Sequence, residues 1–266
     1  MKTQRLLIAL DNIYRSLSLS PRNLEALFLK AKIQMALADS HTSKNDRKTF
    51  ILRAIKSFVY LSRFKLFDRK EELYSFLMYA YNFASLIVNE KKRSLGYLNR
   101  ALGLRKEHLS LFMANYLLLA LTAETHINLS RFVKTTKSKL EALRVGEELV
   151  KKLLRSKNIS SLTYTVYGDL LLQKFQNVKS NEKNRVFAKT VRLLKNGLDL
   201  KNQSCLYTLG VAYSLKGDVE KSLDYLKLYM KKDKGDSIGH LKNDIDLKGL
   251  KDNMVFKSLI DKYLIH

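Results

Sequence analysis

A chain of 266 residues with one proline, Pro21, and ten glycines holds few of the residues that build tight turns. All-β folds reverse direction often and draw on Gly, Pro, Asn and Asp to do so. Such scarcity predicts long uninterrupted segments, and the apolar spacing says of which kind. Leu24, Leu27, Phe28, Ala31 and Met35 follow the 3/4 pattern of a helix face. Leu206, Leu209 and Tyr213, then Leu223, Leu226 and Met230, do the same, and strict strand-like alternation persists nowhere. Asn23, Asp68 and Asp218 are expected N-caps. Polar breaks, among them 18–23, 39–47, 128–138, 176–184 and 216–218, separate about eleven expected helices of roughly 12–20 residues. Short connections make successive helices antiparallel neighbours. With 46% hydrophobic residues the chain can fill a core.

One unit repeats. Leu206 to Met230 reads LYTLGVAYSLKGDVEKSLDYLKLYM. Gly210 lets a second helix come close, Tyr213 fills the space between helices, and Gly217 can take the left-handed conformation at a helix end. Upstream, Tyr164, Tyr167, Gly168 and Leu171 repeat the aromatic–glycine core 42 residues before Gly210. A third copy starts with Ala9, Ile13, Ser16 and Pro21 as a closing second helix, followed by Leu24, Leu27 and Ala31. Leu209-Gly210 with Tyr213, the Gly217-Asp218 turn, and Ser222 with Leu226 together resemble the tetratricopeptide repeat, whose period is about 34 residues. The extra residues of the longer spacing are expected in a loop around 176–184. Asn243 to Ile260, with its D-x-D-L-x2-L pattern and later Phe256, resembles the segment that closes such arrays.

The resemblance implies an all-α, right-handed solenoid of antiparallel helix pairs, about five of them, with a C-terminal capping helix. Residues 1–235 would form the array and 236–266 the cap. It also implies that first helices line a concave groove. Transferred where the motif registers, this places Phe28 and Lys32 on the groove stripe of one unit. Thr165, Asp169 and Gln173 take that place in a second unit, and Tyr207, Val211 and Ser214 in the last. Their chemistry is mixed and lacks the Lys/Asn array with which some relatives clamp a C-terminal carboxylate. An extended peptide or a helix in the groove is the expected ligand.

The net charge is +24, spread evenly: 22 basic against 10 acidic residues in 1–133, and 27 against 15 in 134–266. Clusters stand at Lys91–Arg93, at Lys151, Lys152, Arg155 and Lys157, and at Lys231, Lys232 and Lys234. The last two fall where helices end and cations meet the negative end of the helix dipole. Such a charge reads either as the composition of a Lys-rich proteome or as attraction to nucleic acid, an anionic membrane or an acidic partner. The single cysteine, Cys205, excludes an internal disulfide and reads as a buried small hydrophobe, in keeping with a reducing, cytoplasmic setting. The apolar run Tyr116 to Ala123 is too short to span a bilayer, and residues 1–10 do not read as a signal segment.

No hydrolase elbow, phosphate-binding loop, dinucleotide fingerprint or H-E-x-x-H pattern is present in the sequence. His41, His108, His126, His240 and His266 do not pair at ligand spacing, and Glu124 and His126 point to different helix faces. The acidic pairs Glu71-Glu72 and Glu147-Glu148 read as dipole compensation and solvated faces. The residues therefore predict a binding protein with no enzyme activity, no metal and no cofactor: an adaptor or assembly scaffold holding a protein or peptide. A basic helical repeat that binds nucleic acid is the alternative, since 14 Tyr among many Lys could stack bases.

Overall fold

The structure, a computed structural model, describes residues 2–41, 43–65, 67–156, 161–233, 241–242 and 244–264. Lys157, Lys234, His240, Asn243 and His266 lie outside the described residues. Among those described there is no strand: the elements are thirteen α-helices and one 3-10 turn. They run α1 (Lys2–Leu19), α2 (Leu24–Ser40), α3 (Lys44–Ser62), α4 (Lys70–Ile87), α5 (Lys91–Glu107), α6 (Leu109–Ala114), α7 (Tyr116–Phe132), α8 (Thr136–Leu154), α9 (Ser161–Asn177), α10 (Ser180–Asp199), α11 (Ser204–Lys216) and α12 (Val219–Asp233). The 3-10 turn Ile245–Leu250 and α13 (Met254–Leu264) follow. The chain divides into two compact units, Met1–Phe132 and Val133–His266.

Local chemistry sets the helix ends. The Asn23 side chain accepts from the Ala26 amide at 3.0 Å, and Asp218 accepts from the Lys221 amide at 3.2 Å, as the sequence predicts. Ser43 and Thr135 cap α3 and α8 in the same way. Asp68 does not cap: α4 starts at Lys70, after Arg69, whose side chain makes no cap hydrogen bond. Gly217 ends α11 at φ +88°, with its own amide bonded to Ser214 O and the Asp218 amide to Tyr213 O, a left-handed close that only glycine adopts freely. One apolar run is interrupted, and one sequence expectation fails. The apolar run after Leu109 is not one helix, because Asn115 is extended and its side chain accepts from the amides of Leu117 and Leu118, starting α7 afresh. The residues around 176–184 form no long loop, since α9 and α10 extend through them and leave only Val178–Lys179 between.

In the first unit each helix packs on its successor, and α2 also touches α4 while α4 touches α7. Its core centres on aromatic edges. Phe28 meets Phe58, Phe67 and Phe76 with ring centroids 5.9, 5.3 and 5.9 Å apart, all near-perpendicular. Leu10, Ile13, Ile33 and Leu37 join α1 to α2. The Asn82 side chain, fully buried, donates to Leu121 O and ties α4 to α7.

In the second unit α8 to α12 also pack in order, and α9 reaches α11. Three glycines make the close approaches. A Cβ at Gly168 would lie 2.5 Å from Leu194 Cδ2, and one at Gly210 would lie 2.6 Å from Leu226 Cδ2. At Gly197 three helices meet, and a Cβ there would stand 2.5 Å from Cys205 Sγ and 2.9 Å from Tyr164 Cβ. Ser222 Oγ donates to Gly210 O at 2.6 Å, and Tyr213 stacks on Tyr225 and meets Phe187 edge-on. Cys205 is buried as a free thiol, its pKa pushed up to about 11 by burial.

Gly197→Ala is expected to lower stability by about 1–3 kcal/mol, the usual cost of overpacking. Gly96, mid-helix in α5 with nothing within 4 Å of an added Cβ, is the control. Gly96→Ala should raise stability by up to about 1 kcal/mol through helix propensity. Urea melts of the two variants check the opposite signs.

Candidate functional site

In the first unit the Asn23 cap fixes the start of α2. Glu25, Phe28, Leu29 and Lys32 then follow one face of that helix at spacings of three and four. Opposite stand Asn12, Ile13 and Ser16 of α1, and Arg69 comes in from the segment before α4. Together with Asn23 and Ala26 they line a cleft of about 370 Å³. Phe28 is only 1% exposed, so the cations above it form the surface there. The Arg69 guanidinium lies 4.7 Å from its ring centroid and the Lys32 ammonium 5.6 Å. Arg69 bridges Glu25 at 2.9 Å and Glu72, and Lys32 reaches Glu72 at 2.9 Å. Burial pushes the Glu72 carboxyl up, but hydrogen bonds from Lys32 and Arg69 outweigh it and hold the group below its ordinary range. Two cations and two carboxylates thus brace one another and leave the rim balanced in charge. The lining is apolar at Ile13, Ala26 and the exposed Leu29, and Asn12, Ser16 and Asn23 offer amide and hydroxyl partners. This combination suits a peptide, whose backbone needs donors and acceptors while a side chain sinks onto apolar carbon.

Phe28 and Lys32, expected on a groove stripe, are both in this cleft. The residues expected in the second unit are placed differently. Thr165 accepts from the Asn202 side chain at 2.8 Å, and Thr208 donates to Asp169 at 3.4 Å, so both are engaged within the fold. Val211 and Gln173 are buried. Gln173 donates to Asp246 at 3.4 Å, and the Tyr207 hydroxyl donates to Asp244. The structure therefore gathers Gln173, Tyr207 and Val211 under residues 244–250. Ser214 is half-buried, and its carbonyl accepts from the Gly217 amide.

The sequence reads Ser16 only as part of a closing second helix, and it does not single out Asn12, Arg69 or Gln176. These three lie outside the repeat pattern, and only a partner element gives them a place. Glu147 needs a correction. It is not a solvated face residue but is 9% exposed, at the meeting of α8, α9 and α10. Lys174 reaches it at 3.1 Å, Lys151 and Lys189 at 3.4 Å, and the Tyr167 hydroxyl donates to it at 3.1 Å. Burial raises its pKa, yet the Lys174 hydrogen bond and the charges of Lys174, Lys189 and Lys151 reverse that and bring it down to about 2. Tyr167, buried beside this carboxylate, rises to about 12. Its neighbour Glu148 does face solvent, paired with Arg144. Lys151, Lys152, Lys231 and Lys232 occupy last helical turns as expected. Among the described residues no group of three or more His, Cys, Asp or Glu could hold a metal ion, and no helix is long and apolar enough to cross a membrane.

In the first unit His126 has both ring nitrogens buried without a hydrogen-bond partner, and burial together with Arg105 lowers its pKa from 6.5 to about 4. The pKa values of His126 and Glu147 are both depressed by folding, so each group contributes fully above its unfolded pKa and its contribution is lost as pH falls. The first unit should lose stability from pH 6.5 toward 4, and the second from pH 4.5 toward 2. His126→Phe should flatten the upper window. Glu147→Gln should flatten the lower one and cost on the order of 2 kcal/mol at pH 7, discounted because the lysines are partly exposed. Urea melts across pH, read separately for the two units by hydrogen exchange, check both.

Comparison of the chain with protein-family models, with curated proteins and with solved structures found no match.

Proposed function

We propose that this chain is an adaptor or assembly scaffold of the tetratricopeptide-repeat type, which works by holding a peptide or helix of another protein. In this reading residues 1–235 wind as a right-handed solenoid of about five antiparallel helix pairs, and residues 236–266 close it. The packing of α9 to α12 supports the repeat: Gly168 and Gly210 admit a second helix, Tyr213 fills between helices, and Gly217 makes the turn. So do the contacts of α2 with α4 and of α9 with α11, two elements on. A cytoplasmic setting belongs to the same reading, as the only cysteine is a buried thiol.

The observation that carries the binding function is the cleft between α1 and α2. Its charged side chains are tied to one another, which leaves an apolar lining and neutral polar groups open to a ligand. A second reading, attraction to nucleic acid, draws on the surplus of +24 and predicts affinity that falls steeply with salt.

The test is panning of a displayed 12-residue peptide library on the purified chain at 0.15 M and 0.5 M salt. Peptides should enrich at both salts. They should bind at least tenfold more weakly to Ser16→Arg/Leu29→Glu, which fills and charges the cleft at two exposed positions. If nothing enriches, the adaptor reading falls; if the variant binds equally, the α1–α2 cleft is not the site that holds the peptide. If a single-stranded oligonucleotide binds at 0.15 M and is released at 0.5 M while no peptide enriches, the second reading replaces it.

A further inference from the structure

Three of the groove residues expected in the second unit, Gln173, Tyr207 and Val211, already have an occupant. Asp244 caps the 3-10 turn by accepting from the Asp246 amide at 2.7 Å. Its other carboxylate oxygen accepts from the Tyr207 hydroxyl of α11. Asp246 accepts from two side chains of α9, Gln176 at 2.9 Å and Gln173 at 3.4 Å. Beyond the acids, Leu247 and Leu250 are fully buried in a cluster with Leu172 of α9 and Val211 and Ala212 of α11. Lys248 and Gly249, between the leucines, face solvent.

The segment thus has a recognition pattern of its own. Two carboxylates two residues apart meet neutral donors on two helices, and two leucines three apart enter an apolar floor. A cap needs only to cover apolar carbon, so leucines alone would serve. The acids add geometry, because each must find a donor at a fixed place on α9 or α11. Those donors include Gln173 and Tyr207, which the repeat pattern puts on the ligand-facing stripe. A unit with 27 basic and 15 acidic residues in 134–266 also attracts an acidic peptide at long range.

We propose that the face formed by α9 and α11 is a docking site for acidic peptides of the pattern Asp-x-Asp-Leu-x-x-Leu, and that Asp244–Leu250 is its internal occupant, displaced by a partner carrying the same pattern. This rests on the adaptor reading and names its ligand class. Competition in cis lowers the apparent affinity by the fraction of time the site is vacant, so releasing the segment raises affinity without changing the site.

The probe is the fluorescein-labelled heptapeptide DIDLKGL, the sequence of 244–250, followed by anisotropy on the full chain. Asp244→Asn/Asp246→Asn, which removes both negative charges of the internal segment, should bind it at least tenfold more tightly than the unsubstituted protein. Adding Tyr207→Phe should undo most of that gain, and the peptide NINLKGL should bind at least tenfold more weakly than DIDLKGL. A folded double variant with no gain in affinity overturns the proposal, as does equal binding of NINLKGL or indifference to Tyr207→Phe. Should the double variant not fold, hydrogen exchange on the unsubstituted protein decides. Amides of 245–250 exchanging at least tenfold faster than those of α11 show a segment that leaves while the site stays; equal protection shows a fixed cap and overturns the proposal. Failure here with library peptides still enriching on the α1–α2 cleft removes only this inference, whereas failure of both removes the adaptor reading.

Discussion

Each helix here carries an apolar stripe that it cannot cover alone, and the next helix in the chain must come close enough to cover it. How close is set by the smallest residue at the crossing. In the second unit those residues are Gly168, Gly197 and Gly210, and nothing larger fits without moving Leu194, Cys205 or Leu226. The other features of that unit follow from these approaches. Tyr213 can bridge Phe187 and Tyr225 because α11 sits tightly between its neighbours. Ser222 can reach the Gly210 carbonyl because no side chain stands between the two backbones. The first unit meets the same need with volume instead. Phe28 meets Phe58, Phe67 and Phe76 edge to face, Phe58 stacks on Phe76, and no glycine of α5 touches anything through the place of its Cβ.

That difference explains what the residues alone reveal. Close approach leaves a signature, a glycine among aromatics, so Gly168, Gly210 and the Gly217 turn are legible in the sequence, whereas Gly197 is not. An aromatic cluster leaves none, because its members come from different helices at irregular spacing. The middle of the chain accordingly reads only as apolar periodicity, which hides the start of α7 at Asn115. An asparagine inside an apolar run looks like a tolerated polar residue until its side chain is seen holding two amides. The length of α9 and α10 is hidden for a related reason. A polar stretch reads as a loop, yet Gln, Asn, Lys and Glu on the exposed side of a helix look the same in sequence.

The charged residues are the least legible. Glu147 and Glu148 are adjacent and chemically alike, but helix geometry sends one inward among Lys151, Lys174 and Lys189 and the other outward to Arg144. Sequence spacing can flag the first, since Glu147 and Lys151 stand four apart on a helix. It cannot supply Lys174 and Lys189, which come from two other helices. The same holds for the cleft of the first unit, where Arg69 is 44 residues from the Glu25 it pairs with.

Charge pairing also decides which surfaces remain available to a ligand. In the α1–α2 cleft every charged group is held by another, so approach there costs little desolvation of unpaired charge and the apolar lining can dominate. On the α9–α11 face amide and phenol groups of Gln173, Gln176 and Tyr207 donate to the carboxylates of Asp246 and Asp244. Two sites on one basic chain thus differ: in one the charges are paired with each other, and in the other uncharged amide and phenol groups hold the carboxylates. Neither depends on the net charge of +24, which acts at longer range and governs how often an acidic partner arrives rather than how it is held.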